Sequence, residues 1–367
     1  MKKILKTTFI IFLLLILGAC SAKSNTPLKK MESTGKNEEV ATEPGLAMSV
    51  EGGTYILPFD KKIDDGTKYL CLFVKIQNIT GEEIDISSSD FTLHDENGEK
   101  VSAEFVIGTD EIFESLGFET LKNKNYLAAP IVFPVNTEKK YELHYLPSIF
   151  YDENESINMK IDLKEFSDDT TTITEQVEQY VQAVFLGSNE IEESKLMNDL
   201  KKEKEAFKKE SMNVLKKNFR EYEPTKKELR ETISKLQEIN RAKGKFSVVL
   251  TELNTVCATV YIKPATVMIS DLNKMAIENQ YITENGDKYE DYKEANREGE
   301  KYFLQELNKK ISEKPITTDK DMREEGFELD LENVAGKWKV LSEEKDRNDD
   351  FDYLAKAFRG GLNQYSY

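Results

Sequence analysis

The stretch VKIQNITGEEIDISSSDFTLHDENGEKV, from Val74 to Val101, decides the fold of the first half of the chain. Short segments of alternating apolar and polar residues are separated by turn residues, and Asn97-Gly98 stands between two of these segments. Asn-Gly between alternating segments is a strong signal for a β-hairpin. The stretch therefore predicts short antiparallel strands.

Similar segments lie on both sides of this stretch. Leu70 to Ile76 alternates upstream, and downstream segments cover 128–132, 141–145 and 157–161. Several short strands at near-regular spacing are typical of a sandwich of two sheets. We therefore expect an all-β sandwich over residues 48–165.

The stretch Val74 to Val101 resembles the telokin-like, immunoglobulin-type domains of many Gram-positive surface lipoproteins. Their pattern is a strand ending in Asn, a turn, a short strand, Asp-Phe-x-Leu and an acidic hairpin with Gly. Thr137 to Tyr145 (TEKKYELHY) is similar to their last-but-one strand. The resemblance implies an immunoglobulin-like fold and brings no catalytic group with it.

A helical period begins after this region. Thr172-x-x-Glu175 and Thr225-x-x-Glu228 have the form of capping boxes, which open helices. Between them lies a charged helix whose apolar residues form one stripe, namely Leu196, Leu200, Phe207, Val214, Leu215 and Phe219. We expect at least three helices before Gly244.

The period changes again at Gly244. Lys245 to Leu253 and Thr255 to Lys263 alternate, and Pro264 is expected to end the second strand. The later predicted elements are helices at 267–280 and 289–312, strands at 326–331 and 337–341, and a helix at 350–358. Helices followed by an antiparallel sheet define an α+β domain, which we place at residues 170–360.

The helical opening, the strand Thr255 to Pro264 and the ending Gly336 to Val340 (GKWKV) resemble a second, uncharacterised lipoprotein domain of the same bacteria. They are also similar to the cystatin-like/NTF2-like cone. In that superfamily some cones hold a ligand and many hold none. The resemblance implies a candidate pocket lined by Tyr261, Phe327 and Trp338, which are equally well explained as core aromatics.

The N-terminus has the pattern of an export signal. Three lysines stand within Met1 to Lys6, and the uncharged, mostly apolar segment from Thr7 to Ala19 is shorter than the roughly 20 residues that span a bilayer. Leu17-Gly18-Ala19-Cys20 resembles the lipobox of bacterial lipoprotein precursors. The resemblance implies cleavage of a signal peptide, residues 1–19, and acylation of Cys20 with diacylglyceryl and palmitate chains. An ordinary signal peptide with a chance cysteine and an uncleaved anchor are the alternatives.

Residues 20–47 are rich in Ser, Thr, Lys, Glu, Asn and Pro and poor in large apolar residues. Such a segment cannot bury enough surface to offset its ordering entropy, so we expect a flexible linker. The lipid on Cys20 would then hold the folded part at the outer face of the cytoplasmic membrane, because acyl chains anchor a protein to a bilayer.

The chain carries 68 acidic and 51 basic residues and a net charge of −17. Loss of Lys2, Lys3 and Lys6 with the signal peptide would make it more negative still. Nucleic-acid phosphates repel such a body, so nucleic-acid binding is excluded. A cation-rich partner remains compatible with this charge.

The sequence contains no recognisable catalytic group. Its two histidines, His94 and His144, lie on strands opposite apolar faces and are expected to be solvent-exposed. Cys and His residues do not cluster as zinc ligands, and Asp95 to Glu99 is interpreted as a solvated hairpin tip rather than a calcium loop. Cys71 and Cys257 are interpreted as buried thiols, with a disulfide between the two predicted domains as the alternative. We expect no enzyme activity, cofactor or metal.

These observations favour a non-catalytic binding or interaction module on the cell envelope, with an envelope protein, a peptide or a small ligand as partner. One alternative is an envelope accessory factor or chaperone for exported proteins, which the long amphipathic helices would suit. Another is an enzyme acting on wall polymer through two facing carboxylates.

Overall fold

The computed structural model describes residues 41–43, 45–59, 61, 66–108, 113–147, 156–189 and 195–362. All of them belong to one compact unit of the chain. Within these residues the chain forms antiparallel sheets and six α-helices. The predicted signal peptide, the lipobox and most of the predicted linker lie outside the described residues.

The first half of the described chain is built from strands. These are β1 (Ala41–Glu43), β2 (Leu46–Ile56), β3 (Thr67–Asn78), β4 (Ile84–Ser87), β5 (Phe91–Asp95), β6 (Lys100–Ser102), β7 (Phe118–Leu121), β8 (Tyr126–Asn136), β9 (Tyr141–Tyr145) and β10 (Ile157–Ile161). One sheet has the order β1-β2-β3-β8 and another the order β10-β9-β5-β6, while β4 pairs with β7. Leu72 and Phe133 of the first sheet share one core with Leu93 and Leu143 of the second. The two sheets therefore pack face to face.

The predicted hairpin at Asn97-Gly98 is confirmed. Gly98 has a φ of 81°, which glycine adopts without strain, and β5 pairs with β6 on either side of the turn. The tip is less solvated than predicted, because the side chain of Asp95 is buried. Its Oδ1 accepts the backbone N–H groups of Asn97 and Glu99, both at 2.9 Å, and its Oδ2 accepts Lys139 Nζ at 2.7 Å.

The second half combines helices with a third sheet. Its elements are α1 (Thr170–Tyr180), a π-helical turn (Val181–Phe185), α2 (Leu200–Lys216), α3 (Lys226–Lys243), β11 (Lys245–Leu253), β12 (Cys257–Val267), α4 (Lys274–Asn285), α5 (Tyr292–Lys310), β13 (Ile316–Thr318), β14 (Phe327–Val334), β15 (Lys337–Val340) and α6 (Asp349–Phe358). Single 3₁₀ turns occupy Ser88–Asp90, Leu163–Glu165, Ile269–Asp271 and Gly286–Lys288. The third sheet has the order β11-β12-β14-β15, and β13 also pairs with β12.

One face of this sheet is covered by helices. Val177 of α1, Phe207 of α2 and Phe358 of α6 share a core with Val260 and Leu329 of the sheet. A neighbouring core is formed by side chains of α2, α3 and α5. Helices on one face of an antiparallel sheet agree with the predicted α+β arrangement.

The predicted capping box at Thr172 is wrong, whereas the one at Thr225 is confirmed. Helix α1 begins two residues earlier, at Thr170, whose N–H and hydroxyl both donate to Oδ1 of Asp168, at 3.1 and 2.6 Å. The side chain that accepts hydrogen bonds at the start of α1 is therefore that of Asp168, not that of Thr172.

The prediction that Pro264 ends its strand is also wrong, because β12 continues to Val267. Ile262 pairs with Phe327 of β14 and Ala265 pairs with Thr318 of β13, so Pro264 falls between these two partners. A proline, which has no N–H to donate, is tolerated where the ladder does not need one.

One contact joins the β-rich half to the third sheet, and another joins β2 to the segment just before α1. Leu57, just after β2, exchanges two backbone hydrogen bonds with Leu253 of β11, each at 2.8 Å. Tyr55 also donates its N–H to the carbonyl of Ser167 at 2.9 Å.

At the other end of β2, the pairing of Ala41–Glu43 with Leu46–Met48 shows that the last residues of the predicted linker belong to a hairpin.

Candidate functional site

The structure does not bring together the three predicted pocket residues. Phe327 and Trp338 lie in the core under the helices and are 1% and 4% exposed, and the Trp338 indole donates to Asp169 Oδ2 at 3.1 Å. Tyr261 pairs with Glu328, the neighbour of Phe327, and is half-buried on the opposite face of the sheet. Because side chains alternate between faces along a strand, these residues cannot line one pocket.

Tyr261 belongs instead to a polar cluster on the sheet face away from the helices. The Tyr261 hydroxyl donates to Glu328 Oε2 at 2.8 Å, and the Thr259 hydroxyl donates to Asp330 Oδ1 at 3.0 Å. Nδ2 of Asn348, the N-cap of α6, donates to Glu328 Oε1 at 3.3 Å and to Asp330 Oδ2 at 2.7 Å. All four carboxylate oxygens of the pair Glu328 and Asp330 therefore accept a hydrogen bond from a neutral donor.

The local sequence explains why these groups meet. In Phe327-Glu328-Leu329-Asp330-Leu331 the apolar residues face the core, so both carboxylates emerge on the opposite face. Tyr261 and Thr259 lie directly across the ladder from them. Asn348 reaches the same face because α6 starts beside β14, where the N–H of Glu328 donates to Asp350 Oδ2 at 3.0 Å.

The cluster shifts the acidity of its members. Burial, reinforced by the nearby charge of Glu328, raises the pKa of Asp330 above its ordinary value of 3.8. Burial and the hydrogen bond to Glu328 raise the pKa of Tyr261 to about 12. In the part of the chain that the structure describes, no lysine or arginine forms a salt bridge with Glu328 or Asp330, so the donors that hold these two carboxylates are neutral groups.

The chemistry open to this cluster is limited. A preorganised pair of carboxylates can bind a cationic group, and a carboxyl group of raised pKa can act as a proton donor. Nowhere in the described segments do three or more His, Cys, Asp or Glu side chains gather in a way that could hold a metal ion.

A small cavity lies between the two sheets of the β-rich half. It is about 20 Å³ in volume and is lined by Val50, Gly52, Met159, Lys160, Ile161, Asp162, Glu165 and Phe166. This is room for about one water molecule, far below the several hundred Å³ of a typical ligand pocket. The cavity therefore does not suit a small organic ligand.

The two histidines are less exposed than predicted. The rings of His94 and His144 stack with centroids 3.7 Å apart and planes at 9°, and each covers part of the other. Nε2 of His94 lies 3.1 Å from the Thr92 hydroxyl, and Nε2 of His144 lies 3.0 Å from Glu142 Oε2. Pairing of β5 with β9 brings these residues together, and a single strand pattern does not reveal that pairing.

The cysteines differ in their surroundings. Cys71 is fully buried, and burial raises the pKa of its thiol to about 12, which makes the thiol unreactive. Cys257 is half-buried and forms no disulfide with Cys71. Cys20 and the lipobox residues Leu17, Gly18 and Ala19 lie outside the described residues. In the segments that the structure does describe, every helix is too short or too polar to cross a membrane.

Comparisons with known proteins concern the fold. Residues 30–157, less than half of the chain, match the family model described as a domain of unknown function, DUF4352. The structure is similar to that of the ycdA protein of Bacillus subtilis, which is provisionally described as a lipoprotein. The TM-score is 0.60 and the sequence identity 19%, over 88% of this chain and 99% of that chain.

Two further structures are matched over part of the chain. One is an uncharacterised β-sandwich protein of Clostridium difficile, with a TM-score of 0.23 and 15% identity over 38% of this chain and 99% of that chain. The other is the yjhA protein of Bacillus subtilis, with a TM-score of 0.26 and 20% identity over 34% of this chain and 94% of that chain. A comparison with curated proteins found no match.

Proposed function

We propose that the chain is an extracytoplasmic lipoprotein whose folded part is a non-catalytic interaction module for a cation-rich partner. A lipid on Cys20 holds it at the outer face of the cytoplasmic membrane after removal of residues 1–19. The lipobox Leu17-Gly18-Ala19-Cys20 supports the anchor. The fold likeness to ycdA, provisionally a lipoprotein, over nearly that whole chain adds to this support.

The observation that carries the interaction is the pair Glu328 and Asp330. Four hydrogen bonds from Tyr261, Thr259 and Asn348 hold both carboxylates in place on a sheet face without a salt-bridge partner among the described residues. A cation that docks there meets charge that needs no reorganisation, which favours binding of a lysine- or arginine-rich segment of an envelope protein or peptide.

We also propose two domains in the exported part. Residues 48–165 form an immunoglobulin-like sandwich, and residues 170–360 form a separate α+β domain. Their main apolar cores support this division, because one core contains side chains of the first two sheets and two others contain those of the helices and the third sheet, together with Leu57.

The anchor is tested with Cys20→Ala. We expect the variant to lose membrane retention, to keep residues 1–19 and to incorporate no labelled palmitate, because the acylated sulfur is gone. Equal palmitate labelling of the wild type and the variant would refute acylation at Cys20.

The interaction is tested with Asp330→Asn and, as a matched control on the same strand, Glu332→Gln. Glu332 forms a salt bridge with Lys339 at 2.9 Å and lies outside the cluster. We expect a fluorescent hexalysine peptide to bind the wild type and the control alike at low salt and to bind Asp330→Asn several-fold more weakly. If both variants bound the peptide equally weakly, the effect would come from net charge alone, and the proposed site at Glu328 and Asp330 would be refuted.

A second candidate function is hydrolysis of a wall polymer. The raised pKa of Asp330 favours it, since a carboxyl group of raised pKa beside a second carboxyl group is the pairing that general-acid hydrolysis uses. This function requires that the purified wild-type chain release fragments from wall polymer and that Asp330→Asn abolish the release.

A further inference from the structure

Strand β11 is an edge strand of the third sheet, with β12 as its strand neighbour. The far end of its outer edge is already occupied, because Leu57 and Leu253 exchange two backbone hydrogen bonds there. The edge thus already pairs in antiparallel fashion with one residue, Leu57, at that end. Between Lys245 and Thr251, no other described strand pairs with it.

The backbone groups along this edge point away from the sheet. Leu253, whose N–H and C=O reach Leu57, packs its side chain in the core under the helices. Phe246, Val248 and Leu250 pack against the same core, and a bulge between Leu250 and Glu252 keeps them in phase with Leu253. In a strand the direction of the backbone groups alternates together with the side-chain face, so the N–H and C=O groups of these three residues face the open edge.

This edge carries apolar side chains on both faces. Phe246, Val248 and Leu250 are only partly buried although they face the core, and Val249 on the other face is 47% exposed. Natural sheets protect such edges with charges, prolines or a covering segment. Lys245 is the single charge between residues 245 and 251.

We propose that a second copy of this chain adds its own β11 to this edge in antiparallel register, so that two third sheets become one continuous sheet. The two-fold axis passes beside Val248, which lies opposite the partner's Val248. Phe246 then faces the partner's Leu250 on the helix-covered side, and Ser247 faces the partner's Val249 on the other side. This inference uses only the geometry of β11 and is independent of the anchor and of the Asp330 cluster.

The residues along this edge favour a second copy of the chain as the partner that pairs with it. Each half-covered apolar side chain on the core side meets an apolar side chain of the partner, which completes its burial. In a chain with 68 acidic residues, the segment 245–251 has none, and Lys245 lies opposite the partner's Thr251. Two acidic molecules can therefore pair here without placing like charges opposite each other.

Cysteine cross-linking tests the register. Ser247 and the partner's Val249 form a pair without mutual backbone hydrogen bonds, whose Cα atoms lie about 4.5 Å apart, within the range of a disulfide. Differently tagged full chains carrying Ser247→Cys or Val249→Cys, mixed and mildly oxidised, should cross-link efficiently. Copies that all carry Tyr126→Cys, on an exposed side chain of another sheet, should not. Absence of the first product, or equal yield of both, would overturn the proposal.

Sedimentation of the full chain in mild detergent tests the association itself. We expect the wild type and Tyr126→Lys to sediment with the mass of two copies. Val249→Lys should sediment with the mass of one copy, because it places charges beside the pairing strands. Val248→Pro should also give one copy, because it removes an edge-facing donor and leaves the ladder to β12 intact. Circular dichroism of Val249→Lys should match the wild type, which would show that the variant folds. A wild type of single mass, or a Val249→Lys variant that still pairs, contradicts the proposal.

Discussion

The carboxylate of Glu300 in α5 accepts the backbone N–H of Tyr222, in the loop between α2 and α3, at 2.7 Å. It also accepts the N–H groups of Arg220 and Glu221, both at 2.9 Å, and lies 3.3 Å from Lys274 Nζ. Three successive N–H groups thus surround one carboxylate that is 6% exposed. This contact ties α5 to the α2–α3 loop.

Glu300→Gln should destabilise the chain by about 2 kcal/mol, because a buried carboxylate that accepts several hydrogen bonds is replaced by a neutral amide with one acceptor. The measurement is the midpoint of urea unfolding. Glu231→Gln, in an exposed pair with Lys227 at 3.9 Å, is the control and should change stability by less than about 0.5 kcal/mol. A Glu300→Gln effect as small as that of the control would show that the contact does not stabilise the fold.

The same group gives a pH dependence of known sign. Burial alone would raise the pKa of Glu300, but the backbone donors of residues 220–222 and Lys274 outweigh it and hold the pKa below 4.5. A depressed pKa in the folded state stabilises the fold above the unfolded pKa, and this contribution is lost as the pH falls. The stability gap between wild type and Glu300→Gln should therefore be full near neutrality and shrink below about pH 4.5. A gap that stays constant down to the acid transition contradicts this prediction.

Gly187 ends the helical segment that begins at Thr170. Its φ is 69°, and a Cβ there would lie 2.9 Å from Oε1 of Gln237. The side-chain amide nitrogen of Gln237 donates to the carbonyl of Phe185 at 3.0 Å. Gly187→Ala should cost about 1–2 kcal/mol, from the left-handed backbone and the displaced Gln237. Gly286→Ala should be nearly neutral, because its nearest neighbour is Ile282 Cγ2 at 3.7 Å and its backbone is helical. Equal thermal shifts in both variants would contradict this reasoning.

Asn348 acts both as the N-cap of α6 and as the donor to Glu328 and Asp330. Its Oδ1 accepts the N–H of Phe351 at 2.9 Å. Asn348→Ala should lose the cap, worth about 1 kcal/mol, and leave two carboxylates without their shared donor. Asn273→Ala, which removes only the N-cap of α4, should cost less in the same urea titration. The bridging role fails if the two variants are equally destabilised.

Several elements could be predicted from neighbouring residues alone. The strands Tyr141–Tyr145, Ile157–Ile161 and Lys245–Leu253 have their predicted bounds, and the Asn97-Gly98 turn lies where expected. Alternation, turn residues and a capping box act within a few positions of the chain. Such signals do not depend on what packs against them.

Only the tertiary structure decided which side chains meet. Tyr261 lies apart from Phe327 because its partner across the ladder is Glu328, and a shift of one residue moves a side chain to the other face. Asn348 completes the polar cluster from a loop whose sequence carries no such signal. The periodicity of apolar residues determined the helices and strands because it acts locally along the chain. The register of β12 against β14 and the contact of the distant residue Asn348 determined which side chains form the candidate site.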